Sequence, residues 1–311
     1  MSSRGEPSRW GRHCLASIGH RGSIRRHHGA VQTVSLTWQH AGEVAGVLAL
    51  SSGVLRAVPQ RHLRMLGPFL FEAAIIGVLY AMWQRAGELS VLGTSGAFQR
   101  SHWIIRTERD LLLPSERSVQ NLILGHPLLV QVTNLYYATM HFTVMFAFLI
   151  WLFVRHRDRY RPVRSTMAWT TLACLVIQLL PVAPPRMLVG FVDTAVVYGQ
   201  SVYSNGLAAD QLSAMPSVHV AWAVVVGWYT VRISASRWRW IALGHTAMTV
   251  FAVVATANHW WLDGIVATAV LILCAWAQHL ASLAWHALLE RWRASVPEFG
   301  GEPERVLTAE G

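Results

Sequence analysis

The chain has 311 residues, 53% of them hydrophobic and only 14% charged, with a mean hydropathy of +0.34 and a formal charge of +10. This is too apolar for an ordinary soluble domain of such length, and it reads as a polytopic membrane protein. The excess charge does not argue for a nucleic-acid partner: every one of the 26 Lys-plus-Arg positions is Arg, and many lie in short clusters between apolar runs, as loop charge at a membrane surface does.

In chain order, residues 1–60 are rich in Arg, His, Ser and Gly. Their one modest apolar run, Val44 to Leu50, is too short to cross about 30 Å of hydrocarbon. The expectation is a poorly ordered or surface segment without a secretory pattern. A membrane domain over 61–285 and a cytoplasmic tail over 286–311 complete the expected division. Six apolar segments of roughly spanning length are expected near 67–84, 132–154, 166–184, 214–232, 238–257 and 261–283. Between the first two, Ser101 to Leu124 mixes apolar residues with Arg106, Glu108, Arg109, Asp110, Glu116 and Arg117, the profile of an amphipathic helix lying at the interface. The expected fold is therefore all-α, a six-span bundle with an interfacial helix. Cys14, Cys174 and Cys274 have neither metal-site nor disulfide spacing and read as small hydrophobes.

Arg155, Arg157, Arg159, Arg161 and Arg164 form the strongest basic loop and by the positive-inside rule face the cytoplasm. With six spans that anchor puts both termini inside and places Pro184 to Arg186, the 187–213 loop and the helix starts near residues 217 and 259 on the outer face of a plasma membrane.

Those helix starts carry the chemistry. In Asn258-His259-Trp260-Trp261-Leu262-Asp263, His259 and Asp263 are four apart, so on a helix the carboxylate can fix the imidazole tautomer. Their alternative is an interfacial His beside two Trp residues, but an ionisable pair inside an apolar helix calls for a reason. In Ala214-Met215-Pro216-Ser217-Val218-His219, Pro216 is expected in the opening turn and Ser213 as the N-cap. Ser217 either binds a phosphoryl oxygen or satisfies the helix start, and that start favours an anion. His259 reads as a nucleophile at phosphorus and His219 as the general acid. Arg186 either clamps a phosphate or snorkels to the headgroups. Asp193, Tyr203 and Asn205 share the outer loop, Asp193 and Asn205 being candidate substrate contacts. Glu72 and His141 are ionisable groups at membrane depth, and Arg106, Glu108 and Arg109 suit an ion network. No P-loop, dinucleotide, HExxH or CxxC pattern is present, and the chemistry needs no metal or organic cofactor.

Pro216-Ser217-Val218-His219 and His259-Trp260-Trp261-Leu262-Asp263 together resemble the second and third signature motifs of the type 2 phosphatidic acid phosphatase (PAP2) superfamily. Ala183-Pro184-Pro185-Arg186 and Gly190-Phe191-Val192-Asp193-Thr194 look like the branch that holds inositolphosphorylceramide synthases. The resemblance covers about 70–285 and implies a six-helix core, a phosphohistidine on His259, Asp263 as its partner and His219 as the acid. Two departures stand out: only Arg186 is available where the first motif usually has a Lys before an Arg-Pro pair, and Val253 stands where the third motif has an Arg. Fewer cations suit a phosphodiester donor, so the resemblance implies transfer of a phosphoinositol-like group from a phospholipid to an alcohol. The alternatives are a lipid or polyprenyl (di)phosphate phosphatase using water, and a non-catalytic lipid-binding or transport protein.

Overall fold

In a medium without water each backbone N–H must be satisfied within its own segment, so long apolar runs become helices. The computed structural model describes residues 37–90, 95–198 and 211–295. It runs α1 (Trp38–Ala57), α2 (Arg61–Arg64), α3 (Leu66–Ser90), α4 (Ala97–Asp110), α5 (Glu116–Leu124), α6 (Pro127–Arg155), α7 (Arg157–Gln178), α8 (Thr194–Val197), α9 (Val218–Ile233), α10 (Ile241–Ala255) and α11 (Trp261–Ser295). Among the described residues the only strand-like pairing is an isolated parallel bridge between Val182 and Ser213.

The main core is made by α6, α7, α9 and α11, where Phe148, Leu152, Met167, Val225 and Leu271 pack together. Outside it the usual pattern is inverted. On α6 the buried face carries Thr133, Asn134, Tyr137 and His141, whereas Leu128, Leu135, Phe142, Ile150 and Val154 face outward. Lipid accepts the apolar face and the bundle pairs the polar one, the reverse of a helix packed in water. Three helices among the described residues are long and apolar enough to cross a membrane, Arg61–Arg85, Pro127–Arg155 and Trp261–Ser295, and Val218–Ile233 is apolar but shorter. The chain is thus an all-helical membrane protein; six spans were expected, and three helices among the described residues meet the length and hydropathy of a span by themselves. Helix α9 begins and α10 ends at the candidate site, where non-helical backbone takes over.

Four further elements depart from the sequence expectation. Residues 38–57 are helical and α1 lies along α3, because Gly77 lets the two come close: a Cβ there would sit 3.0 Å from that of Ala45. The interfacial segment is two helices, broken where Leu112 takes a left-handed φ of 57° just before Pro114. The arginine-rich loop is mostly the first turns of α7, joined to α6 through His156 alone, and Arg164 pairs with Glu72 of α3 at 3.2 Å. The tail expected from 286 is helical to Ser295.

Helices α9 and α10 meet through Gly227, where an added Cβ would run into Thr246, whose hydroxyl donates to the Ala223 carbonyl at 2.7 Å. Gly227→Ala is therefore expected to cost about 1–3 kcal/mol, read as a lower midpoint in thermal unfolding of detergent-solubilised protein. An unchanged midpoint would remove this contact from the account.

Candidate active site

The site lies where the starts of α9 and α11 meet the ends of α7 and α10. Helix α10 stops at Ala255, and Ala257 turns the chain with a φ of 56°, a strained value for a residue with a Cβ. The turn lets the Val253 carbonyl accept from both Asn258 and His259 N–H, at 3.0 and 3.1 Å, and the Ala257 carbonyl accept from Arg186 N–H at 2.9 Å. His259 is thus held in the turn ahead of α11 rather than in the helix, a correction to the expected placement on one helical face.

Its imidazole is fixed by a backbone group. Nδ1 lies 2.7 Å from the Ala214 carbonyl and 3.3 Å from Asp263 Oδ2. A carbonyl only accepts, so Nδ1 carries the proton and Nε2 keeps its lone pair. Asp263 also caps its own helix. As the third residue of α11 its Oδ2 accepts from Trp260 N–H at 2.8 Å, closing one half of a capping box. Its side chain is fully buried; Oδ2, which faces the imidazole, is the bonded oxygen, and Oδ1 has no hydrogen-bond partner among the described residues.

His219, in the first turn of α9, is the ring neighbour of His259, with centroids 5.4 Å apart. Tyr137 at 4.9 Å and His141 at 4.3 Å pack against its other sides. Sequence reading singled out His141 only as an ionisable group at depth, because nothing along the chain says that α6 turns it toward α9. Its Nδ1 donates to the Tyr137 carbonyl at 2.8 Å. Beside these rings Tyr136 hydrogen-bonds His245 Nδ1 at 2.7 Å and Thr249 Oγ1 at 3.3 Å.

Ser217, not Ser213, is the N-cap of α9: it is fully buried and its Oγ accepts from Val220 N–H. Pro216 precedes that cap, and the helix starts later than expected, at Val218. Ser213 instead sits in the bridge to Val182. Ser217 N–H donates to the Asp263 carbonyl at 3.1 Å, a second link between the two helix starts. Arg186 reaches the residue beside His259, donating from Nη1 to Asn258 Oδ1 at 2.6 Å, with Nε 3.6 Å from Asp193 Oδ2. Asp193 also caps α8 through Val196 N–H. Asn205 and Tyr203 lie outside the described residues.

The start of α11 is closed by acidic residues from the interfacial helices. Glu108 Oε1 accepts from Leu262 N–H at 2.7 Å and Glu116 Oε1 from Trp261 N–H at 3.4 Å. Glu108 therefore serves α11 and not the expected ion network with Arg106 and Arg109. Burial, a hydrogen bond with Glu116 and the charges of Glu116 and Asp263 push Glu108 up to about 9, against the pull of the Leu262 N–H.

An inward-polar helical bundle with a paired-histidine centre at two helix starts defines a membrane protein equipped for nucleophilic and acid–base chemistry. The chain belongs to the PAP2 superfamily, whose family model matches residues 102–277, from α4 to within α11 and including every described residue of the site. Members are generally phosphatases, which supports an enzyme acting on lipid-like phosphate substrates. No curated protein and no solved structure matches the chain.

The raised Glu108 carboxyl gives a signed expectation. Between its ordinary 4.5 and about 9 the folded protein holds a proton that the unfolded chain has lost. This group's contribution is therefore complete below the lower value and fades as pH rises toward the upper one. Glu108→Gln keeps an acceptor for Leu262 N–H and cannot ionise. Its midpoint of thermal unfolding should match the wild type near pH 5 and exceed it by about 3 °C or more near pH 9. Parallel pH profiles would mean that Glu108 is ionised in the folded protein.

Proposed function

We propose that the protein is an integral-membrane phosphotransferase that moves a phosphoinositol-like group from a phospholipid to an alcohol acceptor through a phosphohistidine at His259. The observation that carries this reading is the Ala214 carbonyl on His259 Nδ1, which leaves Nε2 as the open, nucleophilic nitrogen. Asp263 stabilises the imidazolium that forms when Nε2 bonds to phosphorus. As that bond forms, the phosphorus–oxygen bond to the departing alcohol breaks and His219 gives that oxygen a proton. In the return step the acceptor hydroxyl attacks phosphorus, His219 takes its proton, and the P–N bond breaks to free His259. The first turn of α9 offers N–H groups and the positive end of its dipole to the phosphoryl oxygens, and Arg186 joins them as a partnered cation. One guanidinium suits the single negative charge of a phosphodiester better than a monoester dianion. The reaction as written uses no metal. Asp193 and Asn205 contact the headgroup or acceptor, and six spans set the site on the outer face of the plasma membrane.

The experiment is a product analysis of purified protein, with chelator present, on phosphatidylinositol, phosphatidic acid and polyprenyl phosphates. Phosphoinositol should pass to an added alcohol, His219→Ala should slow turnover by about 10²–10⁴, and His259→Ala should abolish it together with any acid-labile phosphoenzyme. Inorganic phosphate as the only product would make the protein a hydrolase, and conversion unaffected by His259→Ala would end the phosphohistidine reading. Orientation is checked separately: in a background with the native cysteines replaced, Asn205→Cys should react with an impermeant maleimide from outside intact cells. Labelling from the cytoplasmic side alone would reverse the topology.

A further inference from the structure

At the end of α9 remote from His219 a second cavity of about 520 Å³ opens between the α6–α7 junction and the last turns of α9. Its lining residues on that helix, Trp228 to Ile233, lie about 14–21 Å from His219 along the axis, so it is separate from the site described above. The rings of Trp228 and Tyr229 make part of an apolar wall, and His156, Arg159 and Arg232 stand at the rim with Asp158. The volume falls within the usual range for small-molecule pockets.

The two arginines are held loosely. Arg159 Nε is 3.1 Å from Asp158 Oδ2, but the side chains are 66% and 73% exposed, and an exposed pair of this kind contributes little. The Arg232 guanidinium lies over the Trp228 ring, with Cζ 5.0 Å from the ring centroid. A guanidinium held by a ring in this way keeps its charge and its planar fork of N–H donors, the group that grips a phosphate. The α9 carbonyls, which would repel an anion, are answered by Arg239, whose Nη1 donates to the Ser234 carbonyl at 3.2 Å. Arg157 on Phe153, Arg237 on Trp238 and Arg239 on Trp240 repeat the stacked pair around the same end of the bundle. Such an aromatic and basic belt marks headgroup depth.

We infer that this cavity is a second lipid site, taking the phosphate of an anionic phospholipid against Arg159 and Arg232 and its glycerol and upper chain against Trp228 and Tyr229. A soluble phosphate would meet the cations and leave the apolar wall uncovered, which is why a lipid is the better occupant. The inference concerns binding alone and does not depend on the proposed reaction.

The test counts lipids retained by the full-length protein in native mass spectrometry after exchange into mixed phosphatidylglycerol and phosphatidylcholine. The His259→Ala chain should retain one phosphatidylglycerol in preference to phosphatidylcholine. In that background Arg159→Gln with Arg232→Gln should weaken the preference by about tenfold or more, since each arginine near the surface contributes roughly fivefold. Arg61→Gln with Arg64→Gln, a basic pair on another element, should leave it unchanged. Equal retention of the two lipids, equal loss in both double variants, or displacement by millimolar inorganic phosphate would each overturn the lipid site. Unchanged helicity of the variants by circular dichroism separates lost binding from lost fold.

Discussion

Helix α11 begins inside the bundle, and its first N–H groups have no water to turn to. Unsatisfied donors at a buried helix start are costly. Three acidic side chains meet them through a carboxyl oxygen: Asp263 from the helix itself, Glu116 from α5 and Glu108 from α4. Much of the architecture follows from that requirement. The interfacial pair of helices must lie over the end of α11, and Trp261 Nε1 on the Pro114 carbonyl and Trp260 Nε1 on the Ala183 carbonyl hold it there. Asp263, committed to the cap, is brought beside His259 by the same bond. The orientation of Asp263 toward His259 and the helix cap are one piece of geometry.

The same economy governs the non-helical segment between α7 and α9. Arg100 Nε donates to the Pro181 carbonyl at 2.6 Å and Ser101 Oγ to the Ala183 carbonyl at 2.6 Å, so α4 supplies the donors that a missing helix or sheet would have supplied. Further on, Gln120 brackets Val192 with both ends of its amide, and Thr194 Oγ1 donates to Asn134. Irregular backbone at this depth is tolerable because protein covers it and pairs it. These ties also hold Arg186 and Asp193 near the histidines despite the distance along the chain.

Much of the fold and part of the site were legible from periodicity and composition. The long apolar runs marked the helices, and two motifs with a carboxylate and two histidines marked the candidate site, because these are local patterns. Helix α1 was not legible: its apolar run alone is short, and its stability comes from packing along α3. The break between α4 and α5 turns on one left-handed residue, Leu112, with no glycine to announce it. The Ala214 carbonyl that fixes His259 has no side-chain signature at all. His141, Glu108 and Glu116 were visible as ionisable residues, but their partners sit on other helices, and only the tertiary arrangement says which. Ser213 and Ser217 offered two N-caps four residues apart, and the chain chose the later one because Pro216 and the bridge to Val182 hold the earlier stretch extended.

The two helix starts are joined by Ser217 N–H on the Asp263 carbonyl and by His259 Nδ1 on the Ala214 carbonyl. Both links have a main-chain acceptor, and neither acceptor depends on which side chain its residue carries. The spacing of the histidine pair is therefore insulated from changes in the residues around it. Side chains lining the candidate site can drift in size and polarity while the two imidazoles keep their spacing. The frame and the lining of the site can therefore change independently.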